Sequence, residues 1–398
     1  MTSTAAVHPP PSIPPRSAEH ALLLACARLA LAPGEAARVR RMAAGAIDWE
    51  LAFALARRHR VVPFLHRHLR HAPLPHAAAA ELAALQRDGA HRGLRMAAEL
   101  RRLVDALSSA GVDALAYKGP ALAMQAYGSL GMREFVDLDL LVRPGDVPRA
   151  VRALAAEGYA PALDLSPAQE RCFRRVDGDY PLVHGETGVL VELHARVSSE
   201  RFCMPLATDA LMRRAAAVPL GGGEVRTLGD DDLLVVLCAH GAKHRWKRLE
   251  WVVALAELLR AGRGDVDAAL RRATRERARR TLLLGLSLAR RLLDAPLPDA
   301  ASRAIAADRA LAALAAEAEA RLFGAAGDDG EETPANLLFN LRARDGAVDR
   351  ARYAARWLFA PSPEDWRWAR LPDALFPLYR VLRPVRLLLR HGRGSGGR

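Results

Sequence analysis

The sequence predicts an α+β protein: a compact core of roughly a hundred residues, flanked by N-terminal and C-terminal helical regions. Three observations carry this expectation. From about residue 21 to 109, apolar residues recur three and four apart in an Ala-, Leu- and Arg-rich background, which is the helical period. Val112–Tyr117, Phe135–Val142 and Val189–Val197 are short Val/Leu-rich runs bounded by turn residues, as strands are. From Asp230 onward the helical period returns.

Taken in order, residues 1–18 carry Pro9-Pro10-Pro11 and Pro14-Pro15 and are expected to be a disordered lead-in rather than a signal peptide. Residues 19–110 form the first helical region. Asp48 is the expected N-cap of a helix opening at Trp49 and running through Arg58. Pro63 and Pro73–Pro75 punctuate the region, and Glu99 to Ser109 closes it before Gly111. The α/β core spans 111–228. Between its first two strands, Pro120–Tyr127 reads as a short helix. Pro144-Gly145-Asp146 then turns the chain into another, Val147–Glu157, with Asp146 placed to cap it. Residues 229–390 return to helices, with Leu233–His240 and Leu249–Arg260 the clearest. Residues 327–333 read as an acidic loop and 391–398 as a flexible basic tail.

Composition narrows the function. The formal net charge of +13 invites nucleic acid as a partner. Yet only three of the 58 basic residues are lysines, and the arginines are scattered rather than massed on one segment. Steering by charge needs a patch and not merely a total, so nucleic acid is not the favoured partner. No apolar run approaches the roughly 20 residues of a spanning helix. Cys26, Cys172, Cys203 and Cys238 form no CxxC pair, and buried reduced thiols in a cytoplasmic protein are the expectation.

The chemistry concentrates in Phe135-Val136-Asp137-Leu138-Asp139-Leu140-Leu141-Val142. Alternate residues of a strand share a face, so Asp137 and Asp139 point the same way, with Val136, Leu138 and Leu140 directed into a core. Two carboxylates side by side on an apolar strand repel each other and are costly to desolvate. A divalent cation compensates them, and Mg²⁺ suits best because it takes one or two carboxylates and accepts phosphate oxygens. In Val189–Val197 the same alternation puts Glu192, His194 and Arg196 on one face, making Glu192 a third ligand or a base. Asp177-Gly178-Asp179, beside Arg174 and Arg175, reads instead as a solvated turn.

Upstream, Lys118-Gly119 stands at a strand-to-helix junction, where a small residue and a helix N-terminus suit phosphate. Lys118 can meet a phosphate as a point charge, and its presence in so lysine-poor a chain is informative. Arg133 is a second phosphate candidate. His240 and His244 share one helical face, but Gly241 stands where an HExxH zinc motif needs Glu. Lys243 and His244 are expected to help form the nucleotide or acceptor pocket, and Trp246 and Trp251 to be core anchors.

Jointly these residues resemble the nucleotidyltransferase superfamily, and more closely a bacterial group of uncharacterised nucleotidyltransferase family proteins. The resemblance rests on Lys118-Gly119, Tyr127-Gly128, Arg133, Asp137–Val142, Gly158-Tyr159, Glu192-Leu193-His194 and His240–His244 with Trp246, Leu249 and Trp251. It extends to Asp48-Trp49-Glu50 and to Asp365-Trp366 and Arg383-Pro384. It implies a small mixed sheet with the acidic pair on a central strand. It also implies transfer of a nucleoside monophosphate from a triphosphate, ATP being expected, to an acceptor, with Mg²⁺ or Mn²⁺ as cofactor. Asp137, Asp139 and Glu192 are then the catalytic and metal residues, and Lys118, Gly119, Arg133, His194, Lys243 and His244 bind the nucleotide. Two departures stand out. Pro120 replaces the usual small residue and lacks an amide proton, and Ala254 stands where the group often has an acid. A small molecule, a protein or an RNA is an open choice of acceptor. The alternatives are a nucleotide-binding regulatory protein with little catalysis, favoured by Gly119-Pro120, and an RNA-binding or RNA-modifying protein.

Overall fold

The computed structural model describes residues 17–324, 330 and 332–392. Nearly all of the proline-rich lead-in, most of the acidic loop and the end of the basic tail lie outside the described residues. Five strands form one mixed sheet: β1 (Ala114–Ala116), β2 (Asp137–Val142), β3 (Tyr159–Pro161), β4 (Asp179–His184) and β5 (Leu190–His194). Their spatial order is β1-β2-β5-β4-β3. β2 and β5 run parallel, and the other neighbours are antiparallel. A separate hairpin pairs β6 (Ala216–Leu220) with β7 (Gly223–Thr227). Helices before and after this core complete the α+β architecture.

Strand alternation sends the two faces of β2 to different places. Leu138, Leu140 and Val142 join Val191 and Leu193 against Leu103 and Leu107 of the His76–Ser109 helix and Leu154 of the Val147–Ala156 helix. On the opposite face, Leu115 and Leu141 enter a larger apolar cluster. That cluster joins Phe53 and Phe64 from the N-terminal helices to Trp246 and Leu283 from the C-terminal ones. Helices distant in sequence thus share one core beside the sheet. Each fully buried Leu or Phe contributes roughly 1.5–3 kcal/mol.

The local expectations hold where a cap or a period is strong. Asp48 caps the Trp49–His59 helix by accepting from the Leu51 amide at 3.0 Å. The Leu249–Arg260 helix has the bounds expected. The preceding helix begins earlier, at Asp230, because Asp230, Asp231 and Asp232 fill its first turn, where carboxylates favour the positive end of the helix dipole. Three expectations are corrected. Asp146 gives its carboxylate to Arg149 instead of capping the helix. Val136 precedes β2 and is half exposed rather than directed into the core. Of the four free thiols only Cys26 and Cys238 are buried.

The end of the C-terminal helical region carries a buried charge network. Tyr379–Gly392 is a helix, in which Arg383 and Arg386 are buried and paired with Glu332 and Asp365 at 2.5–2.9 Å. Four charges neutralise one another here, so these arginines are structural. No helix among the described residues is long and apolar enough to cross a membrane.

Trp246 anchors the junction of three C-terminal segments. Its ring is fully buried, and it and Arg245 adopt left-handed backbone angles of 54° and 53°. A Cβ at Gly241 would lie 2.7 Å from the ring, and one at Gly285 would collide with Cys238 Sγ and come within 3.0 Å of the ring. Glycines inside helices normally cost stability; these two permit the close approach.

Two outcomes follow from this packing. Gly285→Ala overpacks the core and should lower unfolding free energy by about 1–3 kcal/mol in urea melts, whereas the same change at exposed Gly34 should not. Burial opposes the charge of Glu332, but Arg383, Arg386 and Ser362 outweigh it and hold its pKa down to about 2. A depressed carboxylate contributes stability that is present above its ordinary range and lost as pH falls toward that value. Melting temperature in wild type should therefore fall from pH 5 to pH 2.5 more steeply than in Glu332→Gln.

Candidate active site

The parallel pairing of β2 with β5 builds the site. Its register sets Asp139 opposite Glu192 and Leu141 opposite His194, so the acidic positions of both strands rise on one face. β4 adds to it, because its pairing with β5 sets Asp179 opposite His194. Across β2, β1 leads into Tyr117 and Lys118, and the Gly119–Tyr127 helix starts at once. Gly119 has φ of +50°, and a Cβ there would meet the Asp137 carbonyl at 3.4 Å. Glycine is needed to bring this helix start against the strand. Pro120 occupies its first turn, where an amide would be unpaired within the helix but available to an anion.

Around Asp139 the charges are close. Lys118 Nζ donates to Asp139 Oδ1 at 2.6 Å. His194 Nε2 lies 3.1 Å from the same oxygen and 3.4 Å from Glu192 Oε2. Burial works against the charge of Asp139, but Lys118 and His194 hold its carboxyl well below the usual range. The His194 bond lowers the pKa of Glu192 as well, against its desolvation. Burial would depress His194, yet its bonds to Asp139 and Glu192 raise it to about 9. Asp137 is raised by desolvation, then by repulsion from Asp139 and Glu192.

The residues fit a hard divalent ion. Ligand atoms of Asp139, Glu192 and His194 all lie within 4.8 Å of one another. Asp137 lines the same cavity from one alternation along β2. In these surroundings Lys118 supplies positive charge that the carboxylates require, which is the task an oxygen-loving cation performs among carboxylates.

The cavity above them has a volume of about 350 Å³, and all three lysines of the chain line it. Lys118 comes from the sheet side, Lys243 and Lys247 from the end of the Asp230–Lys243 helix and the turn after it. Arg133 lines it too, with its guanidinium 3.1 Å from Glu250. Glu250 also faces Arg60 at 3.6 Å and Arg248 at 3.9 Å. Ala254 is fully buried one turn beyond Glu250, so an acid does serve this helix, at an earlier position. His240 and His244 pack edge-on at 4.8 Å and against Trp251 at 4.9 and 5.6 Å. Burial, followed by the nearby lysines, keeps both well below the ordinary histidine pKa.

Every residue singled out for the site from the sequence lines this one cavity. The chain belongs to the uncharacterised nucleotidyltransferase family. The family model matches residues 45–294, a span holding all of those residues. No curated protein and no solved structure matches the chain. Membership of the family supports nucleotidyl transfer as the general activity, and the site has a group of acids and histidine able to hold a metal.

One expectation from the sequence is overturned. Asp179 is not a solvated turn residue: it opens β4, lines the cavity, and its Oδ1 is buried without a hydrogen-bond partner among the described residues. Asp177 instead pairs with Arg201 at 2.9 Å. The signal for β4 was weak because Pro181 interrupts it, and proline removes a ladder donor. Arg60, Arg248 and Glu250 were likewise missed, since one charge among many at a helix end carries no pattern.

Binding of Mn²⁺ should raise the melting temperature. Saturation at about a hundredfold excess over Kd corresponds to roughly 2.7 kcal/mol. Asp139→Asn should remove most of that gain, and a gain equal to wild type would exclude this carboxylate as a ligand.

Proposed function

We propose that the protein transfers a nucleoside monophosphate from a nucleoside triphosphate, with ATP the expected donor, to an acceptor hydroxyl, releasing pyrophosphate. Asp137, Asp139 and Glu192 are the residues that hold Mg²⁺ or Mn²⁺. The observation that supports this most is the β2/β5 register, which sets Asp139 beside Glu192 with Asp137 two residues along, under a cavity lined by the only lysines in the chain. A bound divalent ion supplies charge neutralisation for both the attacking and the leaving oxygens.

The chain's own groups divide the remaining work. Lys118 is positioned to move from Asp139 onto a phosphate oxygen as a compact cation. Gly119 leaves the helix start open to a phosphate. Lys243, Lys247 and Arg248 add positive charge from the opposite wall, which favours a triphosphate and offsets charge developing on pyrophosphate. His194 ties Asp139 to Glu192 and fixes their spacing. Arg133, buried in the cavity wall and held by Glu250, is a further candidate to meet a phosphate.

Nucleotide binding without turnover is the second reading. Pro120 favours it, since the helix start offers one amide donor fewer to a phosphate.

The deciding assay incubates the protein with each α-labelled triphosphate, Mg²⁺ or Mn²⁺ and a cell extract. Asp137→Asn and Asp139→Asn should each reduce labelled product at least about a hundredfold with unchanged circular dichroism. Labelling that persists in both variants removes the mechanism. Triphosphate binding with no labelled product under any condition selects the second reading.

A further inference from the structure

We infer that the acceptor is a small, uncharged, polyhydroxylated molecule of the sugar or cyclitol class, bound in a second cavity beside the acidic one, with Asp179 receiving its attacking hydroxyl. This rests on the transfer reading above. The second cavity measures about 510 Å³ and shares Asp177, Asp179, Ser199, Phe202 and Lys243 with the first. Its far wall comes from residues 330–390, beyond the span that the family model matches. The matched core therefore supplies the triphosphate side, and a segment outside the matched span supplies the other.

The chemistry of that wall selects the ligand. Among the described lining residues, four acids (Asp177, Asp179, Glu332 and Glu364) meet four bases (Arg201, Lys243, Arg383 and Arg390). Formal charge is balanced, and Arg201–Asp177 and Arg383–Glu332 are already ion pairs at 2.9 and 2.6 Å. An RNA end would bring several phosphates and requires a clear positive excess. Phe173, Phe202, Tyr353 and Trp357 contribute aromatic surface, while Ser199 and Asn336 add uncharged polar groups. Rings with a few placed polar groups suit a molecule with apolar C–H faces and hydroxyl edges.

Asp179 supplies the link between the cavities. It lines both, and its Oδ1 is buried with no hydrogen-bond partner among the described residues. Such an oxygen calls for a donor, and a hydroxyl entering from the second cavity provides one. In the reaction the acceptor oxygen bonds to the α-phosphorus as the bond from that phosphorus to the bridging oxygen breaks. The electron pair leaves with pyrophosphate, and the hydroxyl proton passes to the Asp179 carboxylate.

The test uses the full chain without nucleotide, in saturation-transfer NMR against D-glucose, D-galactose, myo-inositol and a 5′-phosphorylated RNA dodecamer. At least one neutral polyol should bind, and Trp357→Ala should weaken it at least about tenfold, with Asn336→Leu as a second variant should the first unfold. Asp179→Asn, which keeps an oxygen to accept the hydroxyl but removes the base, should lower labelled transfer about a hundredfold. Binding of RNA but of no polyol overturns the inference, as does polyol binding that is indifferent to both wall variants. Polyol binding that obeys the variants, with no labelled product from any triphosphate, instead leaves the cavity assignment standing and removes the transfer reading.

Discussion

The organising constraint in this protein is electrostatic: the parallel seam of β2 and β5 drives Asp139 and Glu192 together at a buried face, with Asp137 close behind. Like charges in such surroundings do not coexist without compensation. The surrounding structure supplies it. Lys118 arrives from the end of β1, His194 from the next alternation of β5, and Lys243 and Lys247 from a helix end and the turn after it, more than a hundred residues later in the chain. Each approach depends on a backbone feature. Gly119 permits the first, strand register sets the second, and the glycine-lined seat of Trp246 fixes the turn that carries the third.

The same logic explains why the helical flanks belong to the site. A five-stranded sheet with short edge strands covers one face with the His76–Ser109 and Val147–Ala156 helices. The other face is the chemical one and needs walls. Helices from both ends of the chain meet there in one apolar cluster, and Glu250 gathers Arg60 and Arg133 from separate regions. The buried pairs of Arg383 and Arg386 with Glu332 and Asp365 close the C-terminal side. Breaking such pairs singly is costly because a charge is left behind, so this corner holds its shape by mutual dependence.

Legibility in the sequence varied with the range of the interaction that decides each feature. The acidic strand was readable because Asp137 and Asp139 alternate with apolar residues inside six positions. Glu192 and His194 were readable for the same reason. Asp179 was not: Pro181 hides its strand, and only pairing with β5 lifts it out of a turn. Val136 and Asp146 were misplaced by one residue and one partner, errors that belong to element ends, where local pattern is weakest.

By itself, then, the sequence determined the helical flanks, the strands that became β1, β2 and β5, the face on which Asp137, Asp139 and Glu192 lie, and the scarcity of lysine that marks Lys118, Lys243 and Lys247. These depend on period and composition, which act over a few residues. Only the tertiary structure decided that those three lysines line one cavity, that Arg133 is engaged by Glu250, and that the basic C-terminal stretch is a paired helix. Those outcomes are set by packing between segments tens to hundreds of residues apart, about which no local period carries information.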